Sequence, residues 1–137
     1  MSYIVDDSPE RLDLDWIWQM LHEEAYWGTW RTRADVETQI DNAWRVIGVY
    51  ESETGQQCGF ARAVSDGVSF AYLADVIVGP GHRGAGLGKL IVRTMIDEGP
   101  GAAFRWTLFT ADAHGLYEQF GFQAPDQMAM VRPSTIS

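Results

Sequence analysis

The segment Asp75-Val-Ile-Val-Gly-Pro-Gly-His-Arg-Gly-Ala-Gly-Leu-Gly-Lys89 decides the fold of this chain. A mostly apolar stretch, residues 68–78, predicts a buried strand that runs into a glycine-rich turn. Apolar residues at helical spacing then predict a helix over residues 86–97. The glycines let backbone N–H groups approach a ligand closely. Because the first N–H groups of a helix have no internal partner and lie at its positive end, the turn predicts an anion site suited to phosphate.

Two familiar nucleotide-binding motifs do not fit this turn. A P-loop requires a glycine five residues before the Gly-Lys pair and Ser or Thr after it, but Arg83 and Leu90 occupy those positions. The dinucleotide fingerprint G-x-G-x-x-G fails as well, because Lys89 or Ile91 stands where the third glycine belongs. The anion site is therefore of another kind.

The distribution of charge independently indicates an anionic ligand. The chain carries 19 acidic and 10 basic residues, for a net charge of −9. Between Asp75 and Asp97 there is no acidic residue, whereas Arg83, Lys89 and Arg93 lie there. Basic residues gathered at a glycine turn of an acidic protein favour a specific anionic ligand. The alternative is an ordinary glycine turn followed by solvated basic side chains.

Length and composition exclude several classes of protein. With 137 residues, 46% hydrophobic and 21% charged, the chain is expected to form one globular domain over residues 1–137. The negative net charge argues against non-specific nucleic-acid binding. The single cysteine, the acidic N-terminus and the lack of a long apolar run predict a cytoplasmic protein without a membrane partner.

The hydrophobic periodicity predicts an α/β (α+β) fold with a mixed central sheet, since hairpin-linked strands precede strands linked by helices. The element order is β-α-α-β-β-β-α-β-α-β. Asp13 or Asp15 is expected to cap the first helix, and Gly121 to end the last one. The predicted strands are 2–5, 45–50, 58–64, 68–78, 104–109 and a last one from Phe122 through Met128 to Val131, and the predicted helices are 12–25, 34–44, 86–97 and 113–120.

Two short motifs resemble the GNAT superfamily of acetyl-CoA-dependent N-acyltransferases. Arg83-Gly84-Ala85-Gly86-Leu87-Gly88 is similar to its R/Q-x-x-G-x-G/A signature, and the segment from Leu116-Tyr117 to Gly121-Phe122 is similar to its Leu-Tyr-x-x-x-Gly-Phe junction. The element order also matches, and the resemblance covers roughly residues 46–131. It implies helices on both faces of the sheet, splayed central strands, and transfer of an acetyl group from acetyl-CoA to an amine.

The resemblance also implies a set of cofactor contacts. The pantetheine arm would pair with the free backbone of Val76, Ile77 and Val78. The pyrophosphate would lie on the N–H groups of residues 84–89, supported by Arg83; those residues are Gly84, Ala85, Gly86, Leu87, Gly88 and Lys89. Thr110 stands where many relatives carry an asparagine that contacts the cofactor arm. Its hydroxyl can still form a hydrogen bond, but with a shorter reach.

Three side chains are candidates for the chemistry. Tyr117 is the candidate acid, or hydrogen-bond donor, for the departing sulfur; the alternative is packing with the neighbouring phenylalanines. Asp75, the one acid in an apolar strand, could hold or deprotonate the amine, or serve as a hydrogen-bonded structural acid. His114 could relay a proton or simply lie on the surface. A chain of water molecules could replace any of these as the base, and a backbone N–H near Val76 could stabilise the oxyanion.

The acceptor is expected to be a small, cationic primary amine. Tyr26, Trp27 and Trp30 could line its pocket, with Glu24 and Asp75 facing the ammonium group; core packing and solvated helix acids are the alternatives. Cys58 is interpreted as a small buried hydrophobe, and no metal site is indicated. A non-catalytic acyl-CoA sensor or complex subunit, and a nucleotide-phosphate binder, stay open as other functions. The oligomeric state, a homodimer included, is also open.

Overall fold

The computed structural model describes residues 2–24 and 30–136, with the backbone alone at Glu24. In these residues five strands form one sheet in the order β1-β2-β3-β4-β5. The first four strands are antiparallel, and β5 is parallel to β4. The predicted mixed sheet is therefore confirmed. The strands are β1 (Tyr3–Asp6), β2 (Arg45–Glu51), β3 (Gln57–Ser65), β4 (Phe70–Val78) and β5 (Arg105–Thr107).

The helices begin and end close to the predicted positions. Asp13, one of the two predicted caps, accepts a hydrogen bond from the Trp16 N–H at the start of the first helix. Thr32 and Asp35 form a capping box at the start of the second helix. The helices are α1 (Leu14–Gln19) with a π-helical turn (Met20–Glu24), α2 (Arg33–Asp41), α3 (Leu87–Val92) with a π-helical turn (Arg93–Asp97), and α4 (His114–Glu118).

Helices cover both faces of the sheet, as the resemblance implied. On one face Ile47, Ala61 and Leu73 pack with residues of α3 and α4. On the other face Phe60 and Ile77 pack with residues of α1 and α2. The sheet thus separates two apolar layers, and any group that lies on its surface belongs to one of them.

The predicted last strand is wrong: residues 122–131 form no strand. Pro125 has no N–H to donate to a neighbouring strand. Asp126 then forms a turn, because its side chain accepts from the Met128 N–H at 2.9 Å and its carbonyl from the Ala129 N–H at 3.2 Å. Met130 is 95% exposed, so its apolar side chain gains no burial that would hold the segment extended. The strand predicted over 104–109 is also shorter, at Arg105–Thr107.

An irregularity in β4 positions the site. Phe60 pairs with Ile77 and Arg62 with Ala74, so two residues of β4, Asp75 and Val76, lie opposite a single residue of β3. This is a β-bulge, and Asp75 has a φ of +54° there, the one positive φ outside glycine among the described residues.

β4 is paired on its other side only at its start. Phe70, Ala71 and Tyr72 pair with β5, and the pairing ends there. Within the described residues, the stretch of β4 from Leu73 to Val78 therefore has no strand beside it on the β5 side. The bulge and this unpaired edge coincide with the splayed strands that the resemblance implied.

Within the described part of the chain, no helix combines the length and the apolar composition needed to cross a bilayer.

Candidate active site

The glycine turn adopts a conformation that glycine alone adopts readily. Gly84 and Gly86 have φ values of +85° and +80°. A Cβ atom built at either position would meet no atom within 4 Å, so the backbone conformation, not crowding, requires glycine. The first helical hydrogen bond of α3 runs from the Leu90 N–H to the Gly86 carbonyl at 3.1 Å. Among the described residues, the N–H groups of 86–89 donate to no backbone carbonyl and are thus available to a ligand.

Two side-chain contacts fix the start of this turn to the far strands of the sheet. The Tyr3 hydroxyl and His82 Nδ1 share a hydrogen bond of 3.0 Å. His82 Nε2 lies 3.2 Å from a carboxylate oxygen of Glu51. The basic side chains of Arg83, Lys89 and Arg93 are exposed around the turn and the helix that follows it. The turn is therefore a fixed, open and basic surface in an acidic protein.

The two motifs quoted above lie side by side in the fold. A Cβ atom added to Gly88 would lie 3.4 Å from Cδ2 of Leu116, so the first turn of α3 packs closely on α4. Leu87 and Tyr117 belong to the same apolar cluster. The fold thus brings the candidate anion site and the candidate acid together, although they are far apart in the sequence.

Tyr117 is buried, with 8% of its surface exposed, and its ring meets that of Phe122 edge-on at a centroid distance of 5.8 Å. Burial, followed by the negative charge of Asp112, raises the pKa of Tyr117 above its ordinary value. The phenol is therefore protonated at neutral pH and can donate a hydrogen bond. Its raised pKa makes full proton transfer to a thiolate less favourable than hydrogen bonding to it.

His114 and Thr110 lie at the beginning of α4. His114 is the first residue of the helix and is exposed, one turn before Tyr117. The Thr110 hydroxyl accepts a hydrogen bond from the Ala113 N–H at 3.1 Å, so this side chain helps to start the helix. The hydroxyl keeps its own hydrogen, which could still be donated to a ligand.

The predicted acceptor pocket is only partly described. Tyr26 and Trp27 lie outside the described residues, and so does the side chain of Glu24. Trp30 is 48% exposed, and the Arg31 guanidinium carbon lies 5.8 Å from its ring centroid.

Asp75 is the centre of a buried ion-pair cluster. Its two carboxylate oxygens accept from Arg31 Nη1 and Nη2 at 2.8 and 2.9 Å, and one of them also accepts from Arg62 Nε at 2.7 Å. The side chains of Arg31, Arg62 and Asp75 are only 3%, 9% and 6% exposed. Gln39 adds a neutral contact, because its Oε1 accepts from Arg31 Nη1 at 2.6 Å. We name these four residues the arginine cluster.

The cluster determines the protonation state of Asp75. Burial by itself raises the pKa of the carboxyl, but the hydrogen bonds from Arg31 and the charge of Arg62 outweigh it, so the pKa is lowered below its usual value. A carboxylate held by two guanidinium groups is a weak base. This arrangement favours the structural acid among the two roles left open for Asp75.

Sequence reasoning missed both arginines. Arg62 carried a detectable signal, since it is a charged residue inside an apolar strand next to the strand that contains Asp75. Arg31 carried none, because its link to Asp75 spans 44 positions in the sequence.

Two other features lie outside the site. Burial, with a contribution from the charge of Glu51, raises the pKa of the Cys58 thiol to about 11, so this cysteine is not a thiolate at neutral pH. A cavity of about 820 Å³ lies between the segment before α1 and the end of α2, with Asp7, Glu10, Ile40 and Trp44 among its lining residues. The predicted site residues do not line this cavity.

Comparison with known proteins identifies the family. The sequence profile of the GNAT acetyltransferase domain matches residues 43–124, which is more than half of the chain. A Xanthomonas campestris protein assigned to the GNAT acetyltransferases is 34% identical, and the structures superpose with a TM-score of 0.89 over 98% of this chain and 94% of that one. The chain belongs to the GNAT family of acetyltransferase domains, a class of acyltransferases that use acyl-CoA.

Two more distant similarities concern a curated relative and a protein that shares the fold. A Gibberella zeae protein named as an acetyltransferase is 30% identical over 84 residues, which are 61% of this chain and 45% of that protein. This chain therefore spans less than half the length of that curated relative. N-acetylglutamate synthase of Neisseria gonorrhoeae, solved with coenzyme A and N-acetyl-glutamate, has a TM-score of 0.73 at 17% identity. The superposition covers 95% of this chain and 30% of the synthase, and shows that the two proteins share the fold.

The residues at the glycine turn fit an acyl-CoA. Gly84 and Gly86 present bare backbone with open space in front of it. Helical N–H groups that have no backbone acceptor among the described residues, together with exposed basic side chains, surround that space. The unpaired edge of β4 leads away from it. Together these features offer donors for a diphosphate and a backbone edge for an amide-containing arm.

Proposed function

We propose that this protein is an N-acetyltransferase that moves the acetyl group of acetyl-CoA to a primary amine of a small acceptor, by direct attack in a ternary complex. The observation that carries the proposal is the pair of left-handed glycines at the start of α3, in open space and beside the unpaired edge of β4. Residues 84–89 hold the diphosphate through their N–H groups, with Arg83 supporting the turn or the phosphates. The backbone of Val76, Ile77 and Val78 pairs with the arm.

Acetyl-CoA supplies an acetyl group activated as a thioester. The amine nitrogen attacks the carbonyl carbon, and the bond from that carbon to sulfur breaks. A backbone N–H near Val76 stabilises the negative charge that develops on the carbonyl oxygen. Tyr117 donates a hydrogen bond to the departing sulfur, a role that the raised pKa of its phenol favours over full proton transfer. Thr110 lies at the start of the helix that carries Tyr117 and offers its hydroxyl hydrogen to the cofactor arm.

The amine must lose a proton before or during its attack. Asp75 does not serve as that base, because Arg31 and Arg62 hold it as a carboxylate of lowered pKa. The proton passes to water or to His114, which is exposed one helical turn from Tyr117. Trp30, which is half-exposed, lies on the acceptor side. The roles predicted for Tyr26, Trp27 and Glu24 in binding the acceptor stay predictions, because these side chains are outside the described residues. The acidic surface of the protein favours the approach of a molecule with an ammonium group.

The test is to incubate purified protein with acetyl-CoA and a panel of amines, and to measure acetylation through the release of the CoA thiol. We expect turnover, and we expect Tyr117→Phe to lower kcat by roughly a hundredfold or more with little change in the Kd for CoA. Tyr50→Phe is the matched control, because Tyr50 is also buried but lies on β2 under Arg11. Tight CoA binding without acetylation of any amine would instead identify a sensor or complex subunit. Turnover unchanged in Tyr117→Phe would remove the role given to Tyr117.

A further inference from the structure

The arginine cluster holds more positive than negative charge. Two guanidinium groups, Arg31 and Arg62, share the single carboxylate of Asp75, and the fourth member, Gln39, is neutral. Residues 25–29, which lie outside the described part of the chain and precede Arg31, are Ala-Tyr-Trp-Gly-Thr and carry no charge. An uncompensated buried charge is costly, so such a cluster calls for one further negative charge.

The arginine cluster also has more hydrogen-bond donors than acceptors. Arg31 Nε is buried and has no hydrogen-bond partner among the residues that the structure describes. A buried donor without an acceptor costs roughly 1–3 kcal/mol, and more when it is charged. Arg62 uses only its Nε on Asp75 among the described residues, so its terminal N–H groups are not committed to a carboxylate. Among the side chains that the structure describes, the cluster therefore lacks an acceptor as well as a negative charge.

The arginine cluster lies on the face of the sheet that we assign to the acceptor. Asp75 lies in the bulge of β4, and Val76 begins the part of the strand assigned to the cofactor arm. Asp75 is two residues from Ile77 on β4, and Arg62 is two residues from Phe60 on β3. They therefore share the face of the sheet on which Ile77 and Phe60 pack with α1 and α2. Tyr117 packs on the opposite face of the sheet. The half-exposed ring of Trp30 lies against Arg31 on the side assigned to the acceptor.

We infer that the acceptor amine also carries a carboxylate group, which binds to Arg31 and Arg62. The inference rests on the proposed function, whose acceptor it specifies. A carboxylate supplies the single negative charge that the cluster lacks, whereas a phosphate monoester would bring nearly two. Guanidinium groups match the planar carboxylate through paired hydrogen bonds. A purely cationic acceptor would be repelled by the two arginines, because their one counter-ion, Asp75, is already paired with them. The ammonium group of the acceptor therefore lies away from the cluster.

The first experiment measures binding without turnover. Protein saturated with CoA is titrated with simple carboxylates (acetate, glycine and N-acetylglycine) and with their carboxamides, and the melting temperature is recorded. We expect at least one carboxylate to raise the melting temperature in the wild type, and the matching amide to do so much less. In Arg62→Gln the carboxylate effect disappears, whereas Arg33→Gln, which removes an exposed arginine at the start of α2, keeps it.

The second experiment measures turnover with pairs of α-amino acids and their carboxamides. For each pair, kcat/KM for the acid is divided by kcat/KM for the amide, and this ratio is compared between the wild type and Arg62→Gln. Because both proteins are measured with the same two amines, the difference in basicity between the amines cancels. We expect the ratio to fall by about tenfold or more, the effect of losing a charged hydrogen bond. Arg62→Lys keeps the charge without the guanidinium geometry and should recover part of the ratio.

The outcomes separate the two proposals. Acetylation of amines with an unchanged acid-to-amide ratio in Arg62→Gln, or equal losses for both members of each pair, would overturn the carboxylate site and leave the acetyltransferase proposal intact. No melting shift with any carboxylate in the presence of CoA would also overturn it. A protein that neither binds CoA nor acetylates any amine would overturn the proposed function itself. Should Glu24 neutralise the cluster instead, Glu24→Gln would create carboxylate binding that the wild type lacks, and this too would contradict the inference.

Discussion

The glycine turn and the arginine cluster are two positive regions of one acidic protein, and they are built in different ways. In the turn, backbone N–H groups and exposed basic side chains surround Gly84 and Gly86, where an added Cβ atom would meet no atom within 4 Å. In the cluster, Arg31 and Arg62 are buried around Asp75. The first region gains its positive character from the helix end and needs small residues; the second gains it from side chains that must stay paired.

This difference separates the binding of CoA from the stability of the fold. A change in the turn blocks the approach of a ligand while the core is left intact. A change in the cluster leaves a charge without a partner between the sheet and α2, so it acts on the folded state first. Substitutions in the turn should therefore lower the affinity for CoA, whereas substitutions in the cluster should lower the free energy of unfolding as well as any affinity for the acceptor.

The largest effect is expected for Asp75→Ala, which leaves two buried guanidinium groups without their carboxylate. We expect the free energy of unfolding, measured with denaturant at neutral pH, to fall by about 3–5 kcal/mol. Asp75→Gly removes the same carboxylate but tolerates the φ of +54°, so it should be about 1 kcal/mol more stable than the alanine variant. Asp97→Ala, at an exposed position, is the control. Equal losses at residues 75 and 97 would show that the cluster does not stabilise the fold.

Gly86→Val should act on binding instead. A β-branched side chain at the start of α3 covers the N–H groups and strains the left-handed backbone. We expect the affinity for CoA, measured by calorimetry, to fall about a hundredfold, equivalent to roughly 2.8 kcal/mol. Gly55→Val is the matched control, because Gly55 has a φ of +74° and a Cβ atom added there would meet no atom within 4 Å, but Gly55 lies in the turn between β2 and β3. Normal CoA affinity in Gly86→Val would contradict the assigned diphosphate site.

The pH dependence of stability sharpens the contrast further. Because the pKa of Asp75 is lowered in the folded protein, the carboxylate contributes stability above its unfolded pKa of about 3.9, and that contribution is lost as the pH falls through the folded value. The difference in unfolding free energy between the wild type and Asp75→Asn should therefore be constant near neutrality and shrink below about pH 4. Denaturant titrations over a pH series measure it. A difference that stays constant down to pH 2 would be inconsistent with a carboxylate of lowered pKa.

The smallest effect is expected at Thr110. Thr110→Val keeps the shape of the side chain but removes the acceptor of the Ala113 N–H. We expect a loss of about 0.5–1 kcal/mol in the free energy of unfolding, and only a few-fold loss of CoA affinity. Thr110→Ser, which keeps the hydroxyl, should retain both. A loss of CoA affinity as large as that of Gly86→Val would mean that Thr110 is a main cofactor contact.

The sequence predicted most of the elements because their patterns are local. The spacing of Leu87, Ile91 and Met95 predicts α3, and all three are buried in the core. Gly121 was expected to end the last helix in a left-handed conformation, and its φ is +86°. The last strand was predicted wrongly, because the apolar residues around Met128 were weighted more heavily than the turn formed at Asp126. Composition indicates what a segment could form, but not whether a neighbouring strand will pair with it.

The amino-acid sequence by itself determined the glycine turn and its family, since the required backbone conformation, the helix start and the local charge all lie within a few consecutive residues. Only the tertiary structure decided what surrounds Asp75. Arg31 lies 44 positions away from it in the sequence, and the meeting of the two depends on how α2 packs on the sheet. Whether a carboxylate acts as a base or as a structural counter-ion depends on its burial and on the charges beside it, and both are properties of the folded chain.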